Sequence, residues 1–125
     1  MKDFKKYYHI PASPEMVYTA LTNPVTLELW TGEPAEMTEE PGSDFSLFDG
    51  SINGRNLSFE PGKKIVQQWY FGNAEPPSIV TILLHPEGGN TSVELSHTNI
   101  PDTEYESIST GWTKYFFQPL MAFYK

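Results

Sequence analysis

Cysteine is absent from all 125 residues, so neither a disulfide staple nor thiolate chemistry is open to this chain. Basic residues are scarce: 8 Lys and Arg stand against 16 Asp and Glu, a net charge of −8. A nucleic-acid binder needs a basic footprint, and an anionic membrane surface makes the same demand, so neither partner is expected. No apolar run approaches the roughly 18 residues of a membrane span. The opening residues, Met1-Lys2-Asp3-Phe4-Lys5-Lys6, are charged and lead into no apolar h-region. The sequence therefore reads without a signal peptide and points to the cytoplasm. Histidine is limited to His9, His85 and His97, none of them paired at helical spacing. With cysteine missing too, no metal site and no cofactor are expected. No Gly-x-Ser-x-Gly elbow, phosphate loop or dinucleotide fingerprint occurs, and Gly88-Gly89 reads as a hairpin turn. No catalytic constellation emerges, so the expectation is a non-enzymatic domain.

What the chain does hold is aromatic bulk. Aromatic residues make up 14%, with three Trp, seven Tyr and eight Phe, too many for a disordered segment. The length suits one domain over residues 1–125. Residues 4–11 alternate loosely around Tyr7, Tyr8 and Ile10 and read as a first strand. Ser13-Pro14-Glu15 then opens a helix: a capping hydroxyl, a proline suited to the first turn, and an acid that complements the dipole. Asn23-Pro24 breaks it, and residues 25–30 make a second short helix ended by Gly32.

Turn residues then divide the chain into short strands. Pro41-Gly42 separates 35–40 from 44–49, and Asn53-Gly54 marks a tight turn before 55–60. Pro61-Gly62 precedes 63–71, residues 72–77 form a long hairpin connection, and 78–84 and 91–98 follow. With the first strand, this gives about seven antiparallel strands. Parity sets the inner face. Thr91, Val93, Leu95 and His97 share one side, as do Ile65, Gln67 and Trp69, and Phe45, Leu47 and Asp49. Residues 78–84 are apolar on both faces, with Val80, Ile82 and Leu84 assigned inward.

The last segment changes period. Trp112, Tyr115, Phe116, Pro119, Leu120 and Phe123 recur at three- and four-residue steps, the stripe of one long helix over 103–124. Thr103 and Glu106 have capping-box spacing, and Pro119 predicts a kink. Gly111 costs about 1 kcal/mol in a helix, which close approach to the sheet would justify. A stripe of this length needs a surface to cover, and a curved antiparallel sheet supplies one, giving an α+β domain with the helix in its hollow.

Candidate functional residues lie on that shared surface. Trp69, Trp112, Phe45 and Phe116 either line a hydrophobic pocket or fill the core, with Leu47, Val93 and Leu95 beside them. Trp30 reads as a cover over the mouth of that space. His97 either orients a ligand or is a hydrogen-bonded structural histidine. The carboxylates Glu33, Glu36, Glu39, Glu40, Asp44 and Asp49 read as a solvated acidic edge rather than a general-acid pair.

These residues also resemble a known family. Ile10-Pro11-Ala12-Ser13-Pro14-Glu15, then Val17-Tyr18, Ala20-Leu21-Thr22-Asn23-Pro24 and Trp30, are similar to the start of domains related to the C-terminal domain of heat-shock-protein-90 ATPase activators. Gly42, Phe45, Phe48-Asp49-Gly50, Gly54, Pro61, Ile65-Val66 and Trp69 continue the likeness. So do Ser78-Ile79-Val80-Thr81, Thr91, Glu94, Ile100-Pro101, Gly111-Trp112, Tyr115-Phe116-Phe117 and Leu120. The resemblance implies a START-like helix-grip fold and a non-catalytic, co-chaperone-like role with a chaperone as partner. Eukaryotic activators carry a separate N-terminal domain important for ATPase stimulation. This sequence opens at strand one, so that domain is expected to be missing. The wider superfamily implies the alternative, a carrier or sensor of a small hydrophobic ligand held between helix and sheet. Oligomeric state stays open between monomer and homodimer.

Overall fold

In the computed structural model, residues 1–72 and 76–125 are described. The expected connection over 72–77 therefore lies partly outside the described residues. The first strand, β1 (Lys2–Ile10), leads into helix α1 (Pro14–Thr22). The Ser13 hydroxyl accepts the Met16 N–H at 3.3 Å, as its capping position requires. Asn23 ends α1 and caps the next helix, α2 (Pro24–Thr31), its side-chain oxygen accepting the Thr26 N–H at 3.1 Å. Gly32 closes α2 in the left-handed region, φ 74°.

Five strands follow: β2 (Asp44–Leu47), β3 (Ile52–Glu60), β4 (Lys64–Trp69), β5 (Ser78–Glu87) and β6 (Asn90–Ile100). The sheet order is β1-β6-β5-β4-β3-β2, antiparallel at every pairing. The first strand thus pairs with the last, Tyr8 opposite Val93 and Ile10 opposite Thr91.

The strand count is six rather than seven. Residues 35–40 make only one bridge, Glu36 with Ser46. Beyond it the carbonyl of Thr38 is taken by the side chains of Ser43 and Asn56, so the backbone turns away from the ladder. Asn53-Gly54 is also not a turn. The β2–β3 turn is Phe48–Ser51, with Phe48 and Asp49 at φ 54° and Gly50 at φ 88°, and Leu47 faces Ile52 across it. Asp49 is exposed in that turn rather than sharing the inner face of Phe45 and Leu47. Gly54 lies mid-strand for a packing reason: a Cβ there would meet the Gln68 carbonyl at 2.1 Å and the Phe45 ring at 2.7 Å.

The C-terminal helix lies in the hollow of the sheet. It runs as α3 (Tyr105–Gly111), a π-helical turn (Trp112–Phe117) and α4 (Gln118–Phe123). One detail departs from expectation, and a second shows how the helix takes up its proline. The capping box is not made, because Glu104 holds the cap position with no side-chain bond. Pro119 is accommodated by the wide π turn: Gln118 N–H reaches the carbonyl of Thr113, five residues back. Proline offers no N–H to the turn before it, so the ladder changes register there. The inner face otherwise follows parity. Val80, Ile82, Leu84, Val93, Leu95 and Ile65 are buried in one core with Phe117 and Leu120 of the C-terminal helix, and α1 also packs on β5 and β6.

Candidate functional site

Each tryptophan buries a wide ring and must also find a partner for one indole N–H. Trp30 donates to the Ala20 carbonyl at 2.8 Å, tying α2 to α1. Trp69, at the end of β4, donates to Gln67 Oε1 at 3.1 Å. Gln67 in turn donates to Asn56 Oδ1 at 3.1 Å, and Asn56 to Ser43 Oγ at 3.1 Å, a polar chain crossing from β4 through β3 to the loop before β2. Trp112, at the start of the π turn, donates to His97 Nδ1 at 3.0 Å. The other imidazole nitrogen meets Ser78 Oγ at 2.8 Å, and that hydroxyl lies 3.2 Å from the Thr98 carbonyl. His97 is fully buried, and burial pushes its pKa down to about 4. Among the described residues no buried side-chain nitrogen or oxygen is left without a partner.

The aromatic rings then close the interior. Trp69 stacks on Trp112 with centroids 4.7 Å apart, and Phe116 meets Trp112 at 4.7 Å and Trp30 at 5.0 Å, both edge-on. Tyr8 stacks on Phe117 at 4.2 Å, and its hydroxyl is 2.8 Å from that of Thr113. Phe45, Leu47, Val93 and Leu95 are buried beneath this layer. Trp30 is buried as well, held in the core between the helices.

The open space lies outside that layer. A groove of about 490 Å³ runs between the C-terminal helix, the β2–β3 turn and the segment after α2. Its floor is the outer edge of Trp69, Trp112 and Phe116. Ile108, Tyr115 and Pro119 form the helix wall, Phe48 and Ile52 the sheet wall, and Thr31 and Glu33 the near end. Of the nine candidate residues, Trp69, Trp112 and Phe116 line the groove; the other six do not. The turn residues and Ile108 were missed by parity, which ranks strand positions and says nothing of a turn folded back over a helix. A second groove continues past Ser107 and Ile108 toward Pro101, Thr103 and Glu104.

The acids Glu33, Glu36, Glu39, Glu40, Asp44 and Asp49 are exposed. Tyr18 donates its hydroxyl to Glu39, and burial with that carboxylate raises the phenol's pKa. Among the described residues no three His, Asp or Glu side chains gather as a metal site. No described helix is long and apolar enough to cross a membrane.

Residues 11–124 match the family model described as activator of Hsp90 ATPase homolog 1-like protein. Among curated proteins, the chain is 35% identical over 116 residues to an activator of 90 kDa heat shock protein ATPase homolog from Dictyostelium discoideum, covering 90% of this chain and 30% of that protein. It is 30% identical over 108 residues to the human homolog 1, covering 85% of this chain and 32% of that protein. The chain thus spans about a third of the length of these relatives. Among solved structures, an HSP90 activator from Plasmodium falciparum superposes with a TM-score of 0.88 at 30% identity, covering 98% of this chain and 96% of that one. The Aha1 dimer from Colwellia psychrerythraea shares the fold, with a TM-score of 0.81 at 23% identity over 94% of this chain and 92% of that one. Fold, order of elements and sequence agree, and the chain belongs to the activator of Hsp90 ATPase homolog 1-like family.

Proposed function

We propose that this chain is a non-catalytic binding module whose partner is a chaperone of the 90 kDa heat-shock class, met in the cytoplasm. The observation that carries the reading is the family match over residues 11–124, joined by relatives named for activating that chaperone's ATPase. An interior packed with stacked rings, in which no buried side-chain nitrogen or oxygen of the described residues lacks a partner, supports binding at a surface over chemistry in a cavity. With a net charge of −8, steering by charge raises the encounter rate with a basic partner surface. The test is calorimetry of the chain with the chaperone of its source organism at low and high salt. Binding at low salt that weakens as salt rises is expected, because the Debye length shrinks from about 10 Å at 0.1 M to about 3 Å at 1 M. No binding at either salt overturns the reading.

A second reading rests on the groove. Its 490 Å³ falls in the range of about 300–1,000 Å³ typical of small-molecule sites, and its walls are largely apolar. A small hydrophobic ligand carried there would co-purify and register in native mass spectrometry. A bare mass, with no displacement by added apolar probes, would rule it out.

A further inference from the structure

The geometry points to the groove between the C-terminal helix and the β2–β3 turn as the place where a partner inserts an apolar side chain flanked by lysines or arginines. This rests on the binding-module reading and says where and with what chemistry the module grips. Two features of the groove select that occupant. The lining is largely apolar, with Trp69, Trp112, Ile108 and Ile52 among its side chains. A partner anchor that covers these side chains removes apolar surface from water, the main source of affinity at such a site.

The rim is acidic. Glu33 lines the groove, Glu104 lines its continuation, and the exposed Asp49 and Glu106 are chain neighbours of the lining residues Phe48 and Ser107. Against these four carboxylates stand two ammonium groups: Lys114, 5.3 Å from the centre of the lining Tyr115 ring, and Lys2, 5.1 Å from the ring of Tyr105 between Glu104 and Glu106. The balance therefore favours cationic flanks and repels acidic ones, which is discrimination by charge around an apolar anchor. The groove is open and lies on the outer side of the Trp69–Trp112 stack, so an extended segment can enter without unpacking the core.

The experiment titrates the isotopically labelled full chain with a short peptide carrying a Leu-Phe-Leu centre between lysines, and with its glutamate-flanked twin. With the lysine peptide, the indole N–H signals of Trp69 and Trp112 and the amide of Ile108 are expected to shift. The twin is expected to bind about tenfold more weakly. Glu33→Lys should weaken the lysine peptide by about threefold and Lys114→Glu should tighten it by a similar factor, the size of rim charge effects. Glu60→Lys, at the far end of β3, should leave it unchanged. Equal binding of both peptides, shifts mapping to the outer face of the sheet, or no binding overturns the proposal. A co-purified apolar molecule in the groove that the peptide cannot displace also overturns it. The chaperone titration is read separately. If the chaperone binds wild type and Glu33→Lys equally, the groove fails while the module reading stands. If it binds neither, the module reading fails and the peptide arm still decides the groove.

Discussion

Trp112 can only donate from its indole nitrogen, so His97 Nδ1 must accept and carries no proton. The ring's single N–H then sits on Nε2 and points to Ser78 Oγ, and the Ser78 hydroxyl donates a hydrogen bond to the Thr98 carbonyl. Every group in this run is satisfied by the neutral ring. An imidazolium would set two donors against each other at 3.0 Å. The unfolded histidine titrates near 6.5 and the folded one near about 4, so the unfolded chain binds more protons between these values. The stability from a neutral His97 is therefore whole above pH 6.5 and lost as pH falls toward 4. At about 1.4 kcal/mol per tenfold in proton affinity, the loss reaches about 3 kcal/mol. Urea unfolding at pH 7, 5.5 and 4.5 should show this fall, and His97→Gln should remove much of it; a parallel fall in the variant would assign the effect to carboxylates. Trp112 is tested the same way. Trp112→Ala should cost about 3–5 kcal/mol. Trp112→Phe keeps most of the ring but strands Nδ1, and should cost about 1–3 kcal/mol.

At the scale of elements, two glycines of similar appearance in the sequence have opposite roles. Gly54 sits where a Cβ would fall 2.1 Å from a backbone oxygen of the neighbouring strand, and backbone cannot step aside without breaking the β3–β4 ladder. Gly111 has only Tyr115 Cδ2 at 3.9 Å, ordinary contact, in right-handed helical geometry at φ −63°. Close approach to the sheet is thus not what Gly111 provides. Gly54→Ala should leave little folded protein, whereas Gly111→Ala should raise stability by up to about 1 kcal/mol. Thermal melts of the two variants decide it; a neutral Gly54→Ala would mean that β3 shifts freely against β4.

The same contrast shows how far the sequence speaks. Inner faces were legible because strand side chains alternate strictly, which put Gln67 and His97 inward, His97 as either a ligand-orienting or a hydrogen-bonded residue. The partners of these polar residues were not legible. Asn56 reaches Gln67 only through the pairing of β3 with β4, and Trp112 reaches His97 only when the helix crosses β6. Residues 35–40 show alternation enough for a strand, but alternation cannot report that the carbonyl of Thr38 is already taken by side chains.

For the whole molecule the decisive fact is that the first strand of the sequence pairs with the last, in an open sheet whose edges are β1 and β2. β1 pairs along β6, with Lys2 opposite Ile100, so contacts nearly a full chain apart must form before β6 is covered on that side. Such pairings cost loop entropy and slow folding. They also make β1 indispensable. Its removal would take away the buried Tyr8 and Ile10, at about 1.5–3 kcal/mol each, and the Tyr8–Phe117 stack that anchors the C-terminal helix. Against a total stability of about 5–15 kcal/mol for a domain, that loss is large. It would also leave β6, with its row of unpaired backbone groups, as an open edge, the kind of surface on which strands of other molecules add. A chain lacking residues 1–10 should therefore lose near-ultraviolet circular dichroism and elute as aggregates in size exclusion. A monomer with the intact protein's aromatic signal would show instead that the remaining strands and the helix hold together alone, and that the β1–β6 ladder contributes little.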